Sequence, residues 1–312
     1  MGSESLEAQG SLTVPQPATL IVQPGHGLAP VLDAMRRAKR TIDVSIFRLT
    51  MPEVEKAVEG AVARGVKVRA LVAHKAQGEG KRLREVEQRL LAAGVAVSRT
   101  AENFIKYHGK YLIIDDTLHL LGFNFKKSNL KARSFGVHTR NKRAVQDALR
   151  LFECDVLRKP FTASRQSPLV VSPETSRTTL ERFISGARSQ LVIYDGRLDD
   201  PGFAALILQR AAAGVTVRVI GQAPALKDAV PVRPLKDMKL HVRAIVRDTT
   251  HAFVGSQSLR TRELDKRREL GLIVANARVA RMMLEVFETD WERAGTPKIE
   301  RKEEKLEFAP VA

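Results

Sequence analysis

The stretch Ala63–Val72, ARGVKVRALV, returns 149 residues later as Ala212–Gly221, AAGVTVRVIG, with no gap between the copies. Each copy reads as the end of an amphipathic helix, a glycine, and a strand rich in β-branched residues. Gly65 and Gly214 stand where a helix C-terminus calls for a left-handed residue. The same offset extends upstream. Leu20–Pro24 (LIVQP) faces Leu169–Pro173 (LVVSP), and AMRRAKRTIDVSIFRL faces RFISGARSQLVIYDGRL. Ala38 meets Ala187, Ile42 meets Leu191, Val44 meets Ile193, and Arg48-Leu49 meets Arg197-Leu198.

Downstream, the offset falls to 133 because the second copy lacks 16 residues, mostly the helix KRLREVEQRLLAAG. It settles at 135 where FECD (Phe152–Asp155) faces FETD (Phe287–Asp290) on a closing helix. Strands alternating with helices in both copies predict an α/β fold: two homologous α-β-α repeats, each a mixed sheet flanked by helices, packed about a pseudo-two-fold axis. The expected limits are 19–160 for the first repeat and 169–297 for the second. A polar stretch over 1–18 and a charged tail over 298–312 read as flexible ends.

The composition is globular, with 44% hydrophobic and 28% charged residues, and aromatics at 5% leave the core to aliphatic side chains. The net charge of +17 concentrates anions around the chain and points to phosphate-bearing partners, either nucleic acid or an anionic membrane surface. Cys154 is the single cysteine, so an intrachain disulfide and a cysteine zinc site are both excluded. No basic start followed by an apolar run marks a secretory signal, and no run approaches the ~20 apolar residues that cross a bilayer. The expected location is the cytoplasm, with peripheral contact at a membrane.

The repeat carries its most unusual residues at the offset of 133. The first copy reads YHGKYLIIDDTLHLLGFN (Tyr107–Asn124) and the second LHVRAIVRDTTHAFVGSQS (Leu240–Ser258). Both fit His-x-(Lys/Arg)-x4-Asp, then six residues, then glycine: His108, Lys110, Asp115 and Gly122, against His241, Arg243, Asp248 and Gly255. Each copy predicts a strand, a turn and a return strand. Residues two apart on a strand share a face, so His108 points with Lys110 and His241 with Arg243. An imidazole beside a fixed cation can attack a phosphate while gripping it.

This double pattern resembles the phospholipase D superfamily, whose signature is HxKx4D followed by six residues and GSxN, occurring twice. The resemblance spans about Leu20 to Gly295 and includes RRELGLIV and the closing DWERA. It implies that one motif histidine attacks phosphorus, the other protonates the leaving alcohol, and water or an acceptor alcohol cleaves the phosphohistidine. On that basis His108 is the nucleophile and His241 the general acid, with Lys110 and Arg243 stabilising the transition state and Asp115 and Asp248 in support. Asn124, Ser256, Ser258 and Glu269 are the expected substrate-binding residues. The resemblance implies no metal and no cofactor.

The chain departs from the family pattern at four places. Arg243 replaces lysine, Ser258 replaces asparagine, Asn124 falls one position early, and Ser134 holds in the first copy the place of Glu269. His119 and His251 on the return strands read as satisfied structural histidines, and His26, His74 and His138 lack ligand spacing. Basic runs follow both motifs: Lys126, Lys127, Lys131 and Arg133, then Arg260, Arg262, Lys266, Arg267 and Arg268. They read either as solvated surface or as a rim that draws in anions. Phe104 and Tyr107 read either as core or as a platform for a base or lipid. The leading expectation is hydrolysis or transfer of a phosphatidyl group on a phospholipid. A metal-independent nuclease and a non-catalytic phosphate-binding relic are the alternatives, and no obligate protein partner is expected.

Overall fold

Helix and strand signals alternate along the chain, and the computed structural model turns that alternation into two equivalent halves. It describes residues 17–46, 51–74 and 80–295. The expected flexible ends, save Pro17 and Ala18, and the Arg48-Leu49 match lie outside the described residues.

The first half runs β1 (Ala18–Gln23), α1 (Ala29–Arg37), β2 (Thr41–Ile46), α2 (Pro52–Ala63), β3 (Lys67–Val72), α3 (Gly80–Ala92) and β4 (Ala96–Arg99). It continues with β5 (Lys110–Ile114), β6 (Thr117–Leu121), α4 (Lys127–Leu130), β7 (Ser134–Thr139) and α5 (Lys142–Leu157). The second half runs β8 (Leu169–Ser172), α6 (Ser176–Ser185), β9 (Gln190–Asp195), α7 (Pro201–Ala212), β10 (Thr216–Gly221) and β11 (Val232–Arg233). It ends with β12 (Arg243–Arg247), β13 (His251–Gly255), α8 (Thr261–Asp265), β14 (Glu269–Ala275) and α9 (Ala277–Gly295).

Each half builds a 7-stranded sheet. The orders are β1-β7-β6-β5-β2-β3-β4 and β8-β14-β13-β12-β9-β10-β11, which are the same order. β2 and β3, joined through α2, pair in parallel, whereas β5 and β6, joined by a tight turn, pair antiparallel. Local chemistry starts the helices where expected. Asp200 caps α7 by accepting from the Phe203 amide, with Pro201 at the first turn, and Asn141 caps α5 through the Ala144 amide. Gly65 and Gly214 close α2 and α7 at φ +85 and +87.

Each sheet has two buried faces. The outer faces carry α1 and α2 over Val44, Leu112 and Ile114, and α6 and α7 over Ile193, Ile245 and Phe253. The inner faces share one core that α5 and α9 complete, with Phe135, Phe152, Tyr194 and Phe287 at its centre. Burying each such ring contributes about 1.5–3 kcal/mol. Cys154 packs against this core. No described helix is long and apolar enough to cross a membrane.

The halves join by exchanging equivalent contacts. Tyr107 bridges Arg268 and Leu240 bridges Arg133, both in parallel. Arg133 donates to both oxygens of Asp290 at 2.6 and 2.8 Å and to the Gln23 carbonyl at 2.9 Å. Its counterpart Arg268 donates to Asp155 at 3.1 Å and to the Ser172 carbonyl at 3.0 Å. Tyr107 and Tyr194 donate to the same two aspartates at 2.8 and 2.7 Å. A contact repeated in both directions is what a pseudo-two-fold relation requires. Of the two basic runs, then, Arg133 and Arg268 are neither rim nor solvated surface. They are buried at 6% and 2% exposure and lock the halves together.

Candidate active site

Both motif histidines sit just before a central strand, and each has its backbone tied to the opposite half. The His108 amide donates to the Arg268 carbonyl at 2.7 Å, and the His241 amide donates to the Arg133 carbonyl at 3.0 Å. The exchange that seals the halves therefore also brings the motifs together. His108, Lys110 and Glu269 form one connected group. His108 Nδ1 is 2.8 Å from Glu269 Oε2, and Lys110 Nζ is 3.0 Å from His108 Nε2 and 2.9 Å from the His108 carbonyl. His108 Nε2 thus accepts from the Lys110 ammonium.

Beside His241 the arrangement differs. Neither His241 Nδ1 nor the Ser134 hydroxyl has a hydrogen-bond partner among the described residues. Glu269 and Ser256 have as their counterparts Ser134 and Gly122, so the polar support on this side is pared down. A Cβ at Gly122 would stand 2.6 Å from the Phe135 carbonyl and 2.9 Å from Ser134 Oγ, which leaves no room for a serine there without movement.

The electrostatics follow from burial among cations. Burial, then Lys110, Lys106 and Arg243, hold His108 well below the usual imidazole range. Burial, then Lys110, Arg243 and His108, bring His241 down to about 2. Burial lowers Lys110 to about 7, with Arg243 and Lys106 adding to the effect and Glu269 opposing it. Burial raises Glu269, against the pull of Lys110. Without an anion, both imidazoles are neutral. An anion beside them would supply the negative charge that lets one of them hold a proton.

Arg243 Nε donates to Ser258 Oγ at 3.0 Å, so the serine orients the guanidinium. The Ser258 amide donates to Glu263 at 2.8 Å, as the Asn124 amide donates to Asn129 at 3.1 Å. Asn124 and Ser258 are thus equivalent, and the apparent early placement of Asn124 has a simple cause. The β5–β6 turn has two residues, with Ile114 pairing Thr117, whereas the β12–β13 turn has three, with Arg247 pairing His251. The shorter turn moves everything after it by one, so Gly122 matches Ser256 and not Gly255. Ser256 lies at the same spot, its hydroxyl accepting from the Leu270 amide at 3.1 Å.

Asp115 and Asp248 do not join this group. They lie past the far ends of β5 and β12, where Asp115 accepts from the amides of Lys39, Arg40 and Thr41, and Asp248 from those of Arg188, Ser189 and Gln190. Their place is structural: they tie the turn of each motif to the start of the neighbouring strand. Phe104 lies under the Arg268 guanidinium, and Tyr107 belongs to the core. Asp195, missed in the sequence, is buried and accepts from the Leu259 and Arg197 amides, fixing the loop that carries Ser258. His251 contacts Thr250, and His74 pairs with Glu102. His119, expected to be satisfied, has no partner on either ring nitrogen among the described residues.

Residues 31–156 match the family model described as cardiolipin synthase, PLD-like domain. The first half is thus similar to a phospholipase D-like domain. The match covers the first half, and internal symmetry extends the same architecture to the second. Among solved structures, polyphosphate kinase from Porphyromonas gingivalis superposes with a TM-score of 0.74 at 20% identity, over 94% of this chain and 51% of that one. The chain thus spans about half the length of that kinase. Phosphatidylserine synthase from Haemophilus influenzae superposes with a TM-score of 0.68 at 13% identity, over 88% of this chain and 85% of that one. At these identities the likeness is one of fold. Comparison with curated protein sequences gives no match.

Proposed function

We propose that the chain is a phosphodiesterase that hydrolyses or transfers a phosphatidyl group through a phosphohistidine on His108. The observation that carries this reading is the Glu269 carboxylate on His108 Nδ1, which has no equivalent at His241. A carboxylate on Nδ1 holds the proton there, leaves Nε2 with the lone pair, and stabilises the cation that phosphorylation creates. His108 Nε2 attacks phosphorus and the bond to the leaving oxygen breaks. His241 gives that oxygen its proton. Water then loses a proton to His241 and attacks phosphorus, the P–N bond breaks, and His108 is restored. Lys110 and Arg243 balance the charge that gathers on the phosphoryl oxygens.

The match to a cardiolipin synthase-type domain and the near full-length superposition with phosphatidylserine synthase support a phosphatidyl substrate. The +17 charge favours a second reading, cleavage of a nucleic-acid diester. Purified protein is assayed in EDTA with labelled phosphatidylglycerol, phosphatidylcholine and single-stranded DNA. Headgroup release without DNA cleavage is expected; DNA cleavage alone selects the nuclease. With a nitrophenyl diester, whose leaving group needs no proton, His241→Ala is expected to retain an acid-labile phosphoryl label that His108→Ala lacks. The reverse pattern overturns the assignment, and no label or turnover in any form selects a binding relic.

A further inference from the structure

His119 and His138 stand directly opposite one another on β6 and β7, in the place that Phe253 and Ile273 hold on β13 and β14. The imidazoles meet edge to face with centroids 4.2 Å apart. They lie on the outer face of the sheet beneath α1, along a cavity of about 230 Å3 that Arg37, Ala38, Ile114, Asp115, Asp116 and Arg140 also line. His119 is 2% exposed, and its Nδ1 and Nε2, together with His138 Nε2, have no hydrogen-bond partner among the described residues. Burial, with His138 adding to it, lowers His119 to about 3, and burial lowers His138 to about 4. Both rings therefore keep a lone pair at neutral pH.

Packing does not explain the pair. The second half fills the same two positions with a phenylalanine and an isoleucine, at no cost in polar burial. Two neutral imidazoles in their stead carry a desolvation cost that a group entering the cavity can recover. We propose that His119 and His138 bind one divalent transition cation of the kind imidazole favours: zinc, copper or nickel. Directly opposed cross-strand residues have Cβ atoms about 4.5–5.5 Å apart, which lets two rings reach one ion at about 2.0–2.1 Å. Asp115 is committed to backbone amides. Asp116, tied among the described residues only to Thr117 at 3.3 Å and Arg140 at 3.8 Å, has a carboxylate able to turn toward the ion. Among the described residues no group of three or more histidine, cysteine or acidic side chains is set to hold a metal, so two imidazoles and water define the site.

The test is zinc titration by calorimetry of the full chain, without a histidine tag and stripped with EDTA. The variants are His119→Phe/His138→Ile, which copies the other half, and His108→Ala/His241→Ala, because the active site also pairs two imidazoles. One equivalent of zinc is expected to bind at micromolar concentration and to survive the active-site substitutions. Affinity is expected to fall at least about 30-fold in His119→Phe/His138→Ile. Circular dichroism and melting report whether that variant is folded; should it fail, His119→Gln is expected to show the same loss of affinity. No saturable binding, binding that persists in His119→Phe/His138→Ile, or binding lost only with His108 and His241 overturns the proposal.

Discussion

Glu269 Oε2 lies 2.8 Å from His108 Nδ1 and comes from the opposite half of the chain. The counterpart of this contact would join Ser134 to His241, and there no hydrogen bond forms. The two halves of one architecture thus surround their motif histidines differently, with Glu269 on one side and Ser134 on the other. Glu269→Gln keeps the shape and removes the charge. The expected outcome in steady-state kinetics is a fall in kcat of about 10²–10⁴-fold with KM within about twofold, the size seen when a histidine loses its orienting carboxylate. Ser134→Ala, at an unpartnered hydroxyl, should leave both constants within about twofold. An equal loss from both variants would remove the basis for assigning His108 as nucleophile.

Lys110 gives the site its pH dependence. Burial brings its ammonium down to about 7, and on the proposed mechanism the charged form is the one that grips phosphate. The free enzyme holds this proton below pH 7 and loses it above, so kcat/KM should decline above about pH 7 with unit slope. Lys110→Arg, always charged, should abolish that decline even if its rate is lower. A pH–rate profile of the two proteins between pH 5 and 9 checks this. The same shift bears on stability. The folded pKa lies below the unfolded value of 10.5, so the unfolded chain binds more protons between the two. Stability therefore rises as pH climbs through that window.

The repeat and the double motif were legible because each is written twice, and coincidence rarely repeats in register. The mixed sheets and the closing helices followed from that reading; the order of strands within each sheet did not. What escaped it depended on pairing between distant strands. Within each basic run one arginine is buried, and only the contact of Arg133 with Asp290, 157 residues away, tells it from its neighbours. The place of Asn124 could not be read without the length of the β5–β6 turn. His119 and His138 are 19 residues apart and meet only because β6 and β7 pair in this register.

The buried arginines should matter more for stability than for chemistry. Arg133 and Asp290 are 8% and 0% exposed at their side chains, and their pairing spans the two halves. Arg133→Ala leaves the Asp290 carboxylate with Tyr194 as its remaining donor among the described residues. It should cost about 3–5 kcal/mol in chemical denaturation. Arg133→Met combined with Asp290→Leu removes both charges and should recover most of that loss. A double variant no better than the single one would show that shape, and not the stranded charge, sets the cost.

Asp115 and Asp248 separate structure from catalysis within the motif itself. Burial pushes both carboxyls up, but hydrogen bonds from three backbone amides outweigh it and hold them below the usual range. Each pins a hairpin turn and lies beyond the strand that carries the catalytic pair. Asp115→Ala strands those amides at a partly exposed edge and should cost about 1–3 kcal/mol. It should leave kcat in the folded protein within about threefold of the parent. The folded pKa lies below the unfolded one, so this contribution is present above pH 4 and disappears as pH falls through the folded pKa. Denaturation curves at pH 7 and pH 3 should therefore show the gap between parent and variant narrowing in acid. A gap unchanged at pH 3 would show that the charged carboxylate is not what stabilises the turn, and a kcat lowered about a hundredfold in the fully folded variant would place Asp115 in the chemistry after all.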